Sequence, residues 1–190
     1  MRQPVPLDKA YRLLNHGPVT LVSSAHGGRS NVMAAAWAMP LDFDPPKVAV
    51  VVDKSTLTRQ LIEASGEFAL NIPSRQIAAA CLKAGSISAK DLGEGGDKWR
   101  EVGLTHFASE KIAGPLVEGC VGWLECRVIP EPHNEQAYDL FLAEVVAAWA
   151  DPRVFADGRW HFDDANDDLR TLHYVAGGQF FVTGESVNVE

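Results

Sequence analysis

The glycine pair inside PVTLVSSAHGGRSNVMAAAW (residues 18–37) constrains this chain more than any other feature. Gly27 and Gly28 supply the positive φ that a tight hairpin needs, and the segments on either side have the branched, alternating character of extended chain. An antiparallel pair is predicted, with residues 31–39 as the returning strand. That strand has an unusual middle: Asn31 and Val32 lead into Ala34, Ala35 and Ala36, then Trp37. A strand built only for a core would be bulkier. Small side chains either let a neighbouring element pack closely or leave the backbone open to something flat, and both readings stand on this stretch alone.

Downstream, the Asp-Phe-Asp-Pro-Pro corner at 42–46 predicts a loop, because prolines cannot continue a ladder; KVAVVV at 47–52 is then a new strand. The next segment changes to helix period, with Leu57, Leu61 and Ile62 on one face, Ser55 or Thr56 as cap and Gly66 as stop, ahead of a strand EFALNI. Upstream, Leu7, Ala10, Tyr11 and Leu14 have the spacing of a short amphipathic helix over Pro6–Leu14. A second helix is predicted over Gln76–Ala84, followed by an exposed loop, GSISAKDLGEGGDKW. From Leu104 onward three β runs follow: THFASEKI, CVGWLECRVIP and YDLFLAEVVAAWAD. Many β segments with a few helices predict a mainly β fold with peripheral helices, an antiparallel barrel in a single domain over 1–190. A doubly wound α/β fold is disfavoured, since no strand runs into Gly-x-Gly-x-x-Gly.

A net charge of -8 argues against a nucleic-acid surface, which needs clustered Lys and Arg. The acidic run HFDDANDDLR (161–170) lacks the glycine and distal Glu of a calcium loop and predicts a solvated loop. Cys81, Cys120 and Cys126 are odd in number, and with no secretory leader or membrane-spanning run they predict buried thiols in a reducing compartment, the cytoplasm. Cys120 and Cys126 are an even number of positions apart and so are expected on one face of a strand. The histidines show no metal-ligand spacing.

The helix starting near Ser55 is a possible site as well as a capped end. Its free N–H groups, the hydroxyls of Ser55, Thr56 and Thr58, and the cations Lys54 and Arg59 together suit a phosphate. With the alanine-rich strand just upstream, ring and phosphate could belong to one elongated ligand. No Gly-x-Ser-x-Gly elbow or nucleophilic cysteine signature supports a hydrolase. His173 stands apart, because LHYVAGGQF sets it beside a Gly-Gly turn that could approach a ligand closely.

Taken together, AYRLLNHGPVTLVSS, NVMAAAWAMPLDFDPPKVAVVV, STLTRQLIEASGEFALNIPS, GGDKW, GPLVEGCVGWLECRV, LFLAEVVAAWAD and LHYVAGGQF resemble the flavin reductase-like family, the FMN-binding split barrels. The resemblance runs the length of the chain and implies an antiparallel FMN-binding split β-barrel, with FMN at the interface of a homodimer. It implies that Asn31, Val32, Ala34, Ala36 and Trp37 line the flavin, and that Ser55, Thr56, Thr58 and Lys54 hold its phosphate. Asn71 and Ser74 fall in the matching NIPS turn, and Lys98 and Trp99 in the matching loop. His173 is implied as the catalytic residue, near the open face where a nicotinamide could stack. Family members often carry a hydroxyl where this chain has Ala34–Ala36, so it brings fewer side-chain donors there.

The activity implied is hydride transfer from NADH or NADPH to flavin, with electrons passed to free flavin, oxygen or a partner oxygenase. The alternative is a flavoredoxin-like electron-transfer protein with tightly bound FMN. Neither requires an acid–base pair, which accords with the lack of a recognisable catalytic constellation.

Overall fold

The structure, a computed structural model, describes residues 17–93, 95–187 and 189; the helix expected over Pro6–Leu14 lies outside them. Thr20–His26 (β1) turns through Gly27 and Gly28 into Arg29–Ala35 (β2), with His26 opposite Arg29 and Thr20 opposite Ala35. A short link leads to Ala38–Phe43 (β3), which pairs with Pro46–Val51 (β4). Leu57–Ser65 (α1) and Glu67–Pro73 (β5) follow, then Ala78–Ser86 (α2) and Lys98–Val102 (α3). The second half contains His106–Phe107 (β6), Leu116–Val117 (β7), Cys120–Ile129 (β8), Pro132–Tyr138 (α4) and Leu140–Ala150 (β9). Two small hairpins finish it: Phe155–Ala156 (β10) with Arg159–Trp160 (β11), and Leu172–Ala176 (β12) with Gln179–Val182 (β13). The main sheet runs β2-β1-β5-β8-β9-β4-β3, antiparallel throughout. The mainly β architecture with peripheral helices is thus as expected. Among the described residues no helix is long and apolar enough to cross a membrane.

Residues 31–39 do not form one strand. β2 ends at Ala35 on one edge of the sheet and β3 begins at Ala38 on the other, so the chain crosses between edges through Ala36 and Trp37. The backbone N–H of Val51 donates to the Trp37 carbonyl at 3.0 Å at this crossing. The 42–46 corner is likewise not a loop outside the ladder: Asp42 pairs with Lys47 and Phe43 with Pro46, leaving Asp44 and Pro45 as the turn. Pro46 opens its strand and Pro40 lies on the outermost one, the two places where a missing N–H costs the ladder little.

Local signals set α1. Thr56 accepts from the Arg59 N–H, and Gly66, at φ 71°, returns its N–H to the Ile62 carbonyl at 2.7 Å. The run THFASEKI contributes only the two residues of β6, because the buried Glu125 carboxylate captures the N–H groups of Glu110 at 3.0 Å and Lys111 at 2.6 Å, bending the chain away. The glycine-rich 85–99 segment is not exposed to its end. Asp97 caps the N–H of Trp99 at 3.0 Å, and Lys98 and Trp99 are buried.

Two apolar clusters lie on opposite sides of β1. Val22 belongs with Val48, Val50, Phe68, Leu70 and Phe141 inside the curled sheet, closed at one side by Ile62 of α1; Leu21 belongs with Val32, Cys81, Trp99, Cys120 and Leu172 under α2 and α3. Each such fully buried side chain contributes about 1.5–3 kcal/mol. Cys120 and Cys126 fall in different clusters, contrary to their even spacing. Ile72 pairs with Gly122 but Pro73 with Cys120, so Val121 is an extra residue in β8, and the bulge resets the alternation. All three thiols are free and buried, and burial pushes Cys81 and Cys126 up to about 12. The acidic run is anchored at both ends, with Phe162 and Leu169 buried against Val121 and Val154.

Candidate functional site

Three cavities join end to end along β2. The inner one, about 150 Å³, lies between Ala34 on the strand and Ala36 just past its end, Gly85 and Ser86 at the end of α2, and the rings of Tyr174 and Phe180. It shares Ala34, Gly85 and Ser86 with a middle chamber of about 170 Å³, which reaches Ser55 and Thr56 at the start of α1. The middle chamber in turn shares Asn31, Leu57, Ala89 and Lys98 with a mouth of about 670 Å³. Small residues create the groove: a Cβ on Gly85 would stand 3.3 Å from the Ala34 Cβ, so α2 crosses the strand at close range. The alanines therefore serve both readings of the sequence, close packing under Gly85 and an open wall beside it.

Asn31 is the distinctive polar group. It is 2% exposed, its amide N–H donates to the Thr58 hydroxyl at 2.8 Å, and its Oδ1 is buried without a hydrogen-bond partner. A buried acceptor left unmade costs about 1–3 kcal/mol. The residue lines both the middle chamber and the mouth, so a ligand N–H or O–H can relieve that cost. Lys98 is the second, 6% exposed, with Nζ donating to the Ala84 carbonyl at 3.0 Å near the end of α2. Burial drives its ammonium down to about 8, and two of its three N–H donors remain for other acceptors.

At the start of α1 the hydroxyls are already engaged. Thr56 Oγ1 donates to the Asp53 carbonyl at 2.9 Å while capping Arg59, and the Ser55 N–H donates to the Asp53 carboxylate at 2.7 Å. The Ser55 side chain, then its N–H, holds Asp53 below its ordinary pKa. What this end offers an anion is the backbone N–H groups of the first turn and Lys90, whose Nζ reaches the Ser55 carbonyl.

Of the residues singled out from sequence, Asn31, Ala34, Ala36, Ser55, Thr56, Lys98 and Trp99 line the groove. The others do not. Val32 is fully buried in the cluster beneath α2, Thr58 stands behind Asn31 as its partner, and Trp37 lies at the crossing between β2 and β3. Lys54 is exposed, 3.7 Å from Asp139. Arg59 points the other way: 2% exposed, it donates to the Val52 and Glu135 carbonyls, pairs with Glu63 and Asp139, and lies 4.5 Å over the Phe141 ring.

Asn71 is occupied with the Leu21 carbonyl, Ser23 and the Val117 N–H, and Ser74 with the Gly119 carbonyl. His173 lines a separate cavity of about 800 Å³ beside Trp160 and Thr171. Its neighbour Tyr174, on the other face of β12, lines the groove instead, with Phe180 at 5.3 Å between ring centres. Strand alternation in LHYVAGGQF, one residue out of register, was the signal for Tyr174; nothing local pointed to Gly85 or Ser86. No group of three or more metal-ligating side chains occurs among the described residues.

Residues 12–178 match the sequence profile described as the Flavin reductase like domain. Over 187 residues, 97% of this chain and 96% of the relative, the sequence is 45% identical to the uncharacterized protein YddH of Escherichia coli (strain K12). The crystal structure of an FMN-binding domain of a flavin reductases-like enzyme from Shewanella baltica OS155 superposes with a TM-score of 0.88 at 50% identity, over 98% of this chain and 96% of that one. Flavoredoxin of Desulfovibrio vulgaris (Miyazaki F) superposes with a TM-score of 0.79 at 26% identity, over 100% of this chain and 97% of that one.

Proposed function

The chain belongs to the flavin reductase-like domain family, and from that premise we propose that it is an FMN-dependent oxidoreductase accepting hydride from NADH or NADPH. Electrons then pass to free flavin, oxygen or a partner oxygenase. The observation that carries this reading is the orphaned Oδ1 of Asn31, a buried acceptor on a residue that lines the groove, suited to a flavin N–H or ribityl O–H. The residues fit the group. Ala34 and Ala36 opposite Tyr174 and Phe180 make a narrow apolar slot for a flat ring. Asn31 offers an acceptor to a ring N–H or ribityl O–H, while the first turn of α1 with Lys98 and Lys90 offers donors and positive charge to a phosphate.

Bound FMN would supply the hydride-accepting, two-electron chemistry. The chain's own part is to grip the two polar ends, keep water from the slot and leave one face of the ring accessible. Polar groups fixed in advance by the Asn31–Thr58 and Lys98–Ala84 bonds lose little entropy when the ligand arrives.

A homodimer belongs to the same proposal. Trp37, Met39, Leu41 and Phe43 are all exposed on or beside edge strand β3, Phe43 at 98%, and an apolar cluster of that kind marks a protein interface.

Anaerobic titration of the FMN-loaded protein with NADH and then NADPH, following the flavin's visible absorbance, tests the reading. Rapid bleaching by either nucleotide is the expected result. Flavin that binds yet stays oxidised would instead support an electron carrier, the role suggested by the likeness to a flavoredoxin, and failure to load FMN would refute both.

A further inference from the structure

A cavity of about 800 Å³ opens outside the groove, bounded by β11, the 161–165 run, the β12–β13 hairpin and the chain that follows it. That size lies within the roughly 300–1,000 Å³ usual for small-molecule sites. A single ladder separates it from the flavin groove: Thr171 and His173 line this cavity, whereas Leu172 joins the cluster under α2 and Tyr174 lines the inner slot.

One wall is aromatic. Trp160 stacks on Phe162, 11° from parallel and 5.4 Å between ring centres, and Phe155 braces it edge to face at 5.0 Å. Gly122 of β8 lies against the same indole, where a Cβ would stand 3.5 Å from the ring. Held from these sides, Trp160 is still 42% exposed, which leaves a fixed flat surface for another ring.

The charges at the cavity fall into two sets. Arg153 is spent on Asp151, bonded at 3.0 Å, and Asp163 accepts from the Ser186 N–H at 3.1 Å and from its hydroxyl. Arg159, Asp164 and Glu185 are exposed and line the cavity, and their side chains enter no hydrogen bond or ion pair among the described residues. One uncommitted guanidinium and two uncommitted carboxylates therefore accompany the aromatic wall. An aromatic acid would meet the guanidinium but also repulsion from the carboxylates, and an aromatic amine the converse. A ring that carries both charges suits all three groups.

We propose that this cavity binds an aromatic zwitterion, of which a free aromatic α-amino acid is the simplest, with its ring against Trp160, its carboxylate on Arg159 and its ammonium toward Asp164 and Glu185. The proposal stands apart from the flavin reading of the groove.

Isothermal titration of the protein with L-tryptophan, 3-indolepropionate and tryptamine tests it. Tryptophan should bind at least about tenfold more tightly than either single-charge analogue. Arg159→Gln should weaken tryptophan by about tenfold without weakening tryptamine. The double variant Asp164→Asn, Glu185→Gln should weaken tryptophan likewise without weakening 3-indolepropionate; all three positions are exposed, so the fold should tolerate the changes. A wild type that takes up no tryptophan overturns the proposal. So does 3-indolepropionate binding as tightly as tryptophan, the result expected if the site reads the aromatic C-terminus of a peptide. Tryptophan that competes with FMN, or that both variants hold as wild type does, overturns it as well.

Discussion

Asn31 ties β2 to α1 by donating to Thr58 at 2.8 Å, and in doing so it leaves its own carbonyl oxygen buried and unsatisfied where the groove narrows. The bond that locks the side chain leaves that acceptor unused. Rigid presentation of a polar atom that the folded chain does not itself use is what distinguishes this asparagine from the satisfied Asn71.

Replacing Asn31 by Leu should therefore separate binding from stability. FMN affinity should fall by about tenfold or more, read by fluorescence quenching, because a ligand donor loses its acceptor. Urea unfolding of the flavin-free protein should shift by less than about 1 kcal/mol, since the lost Thr58 bond is offset by removal of an unsatisfied buried group.

Lys98 should leave a mark on pH dependence. Its ammonium is pushed from the ordinary 10.5 to about 8, so between those values the unfolded chain holds more protons than the folded one. Stability from this residue then rises with pH across that window, and the cost of the buried charge is present in full below it. Wild type should gain stability relative to Lys98→Met between about pH 8 and 10, measured by denaturant unfolding. FMN affinity should move the other way, weakening in wild type as the ammonium discharges.

Arg59 is a structural cation despite its place in a helix that starts at the groove. Arg59→Met removes bonds to Val52 and Glu135 and leaves Asp139 only the longer, exposed pair with Lys54, and should cost about 3 kcal/mol in chemical denaturation. The FMN affinity of the folded fraction should be unchanged, which distinguishes this role from phosphate binding.

Glu125 gives the same direction of pH dependence as Lys98, in the acid range and from a stabilised charge instead of a destabilised one. Burial raises its pKa, but the N–H groups of Glu110 and Lys111 and the Trp149 indole outweigh burial and hold it below the ordinary 4.5. The resulting stability is present at neutral pH and lost as pH falls through the folded value. Glu125→Gln should cost about 1–3 kcal/mol at pH 7, and its deficit against wild type should shrink on acidification.

The two neighbours on β12 should differ sharply. Tyr174→Ala opens the inner slot and should weaken FMN by about tenfold or more, whereas His173→Ala, in the separate cavity, should leave FMN affinity within about twofold. Equal effects in fluorescence titration would contradict the separation seen here.

Local chemistry explains what could be read in advance. A positive-φ glycine pair, a threonine cap and a glycine stop act on residues within a turn of themselves, so the β1–β2 hairpin and α1 were legible from their own sequences. The small-residue wall at Ala34 and Ala36 was legible for the same reason. What escaped depends on partners far along the chain. The bulge at Val121 answers to β5, the direction of Arg59 answers to Asp139 and Phe141, and the far side of the groove comes from Gly85 and Tyr174. Phosphate chemistry was read into the hydroxyls of Ser55 and Thr56, whereas Asp53, a residue that looked like ordinary loop, had already claimed that end of the helix.

The crossing at Ala36 and Trp37 joins the two outer strands of the main sheet, so the sheet's margins are linked by covalent chain. Each of these outer strands is hydrogen-bonded on one side alone, so the margin that bears Met39 and Phe43 has backbone groups free to pair with a strand of another molecule, and growth of the sheet would begin there.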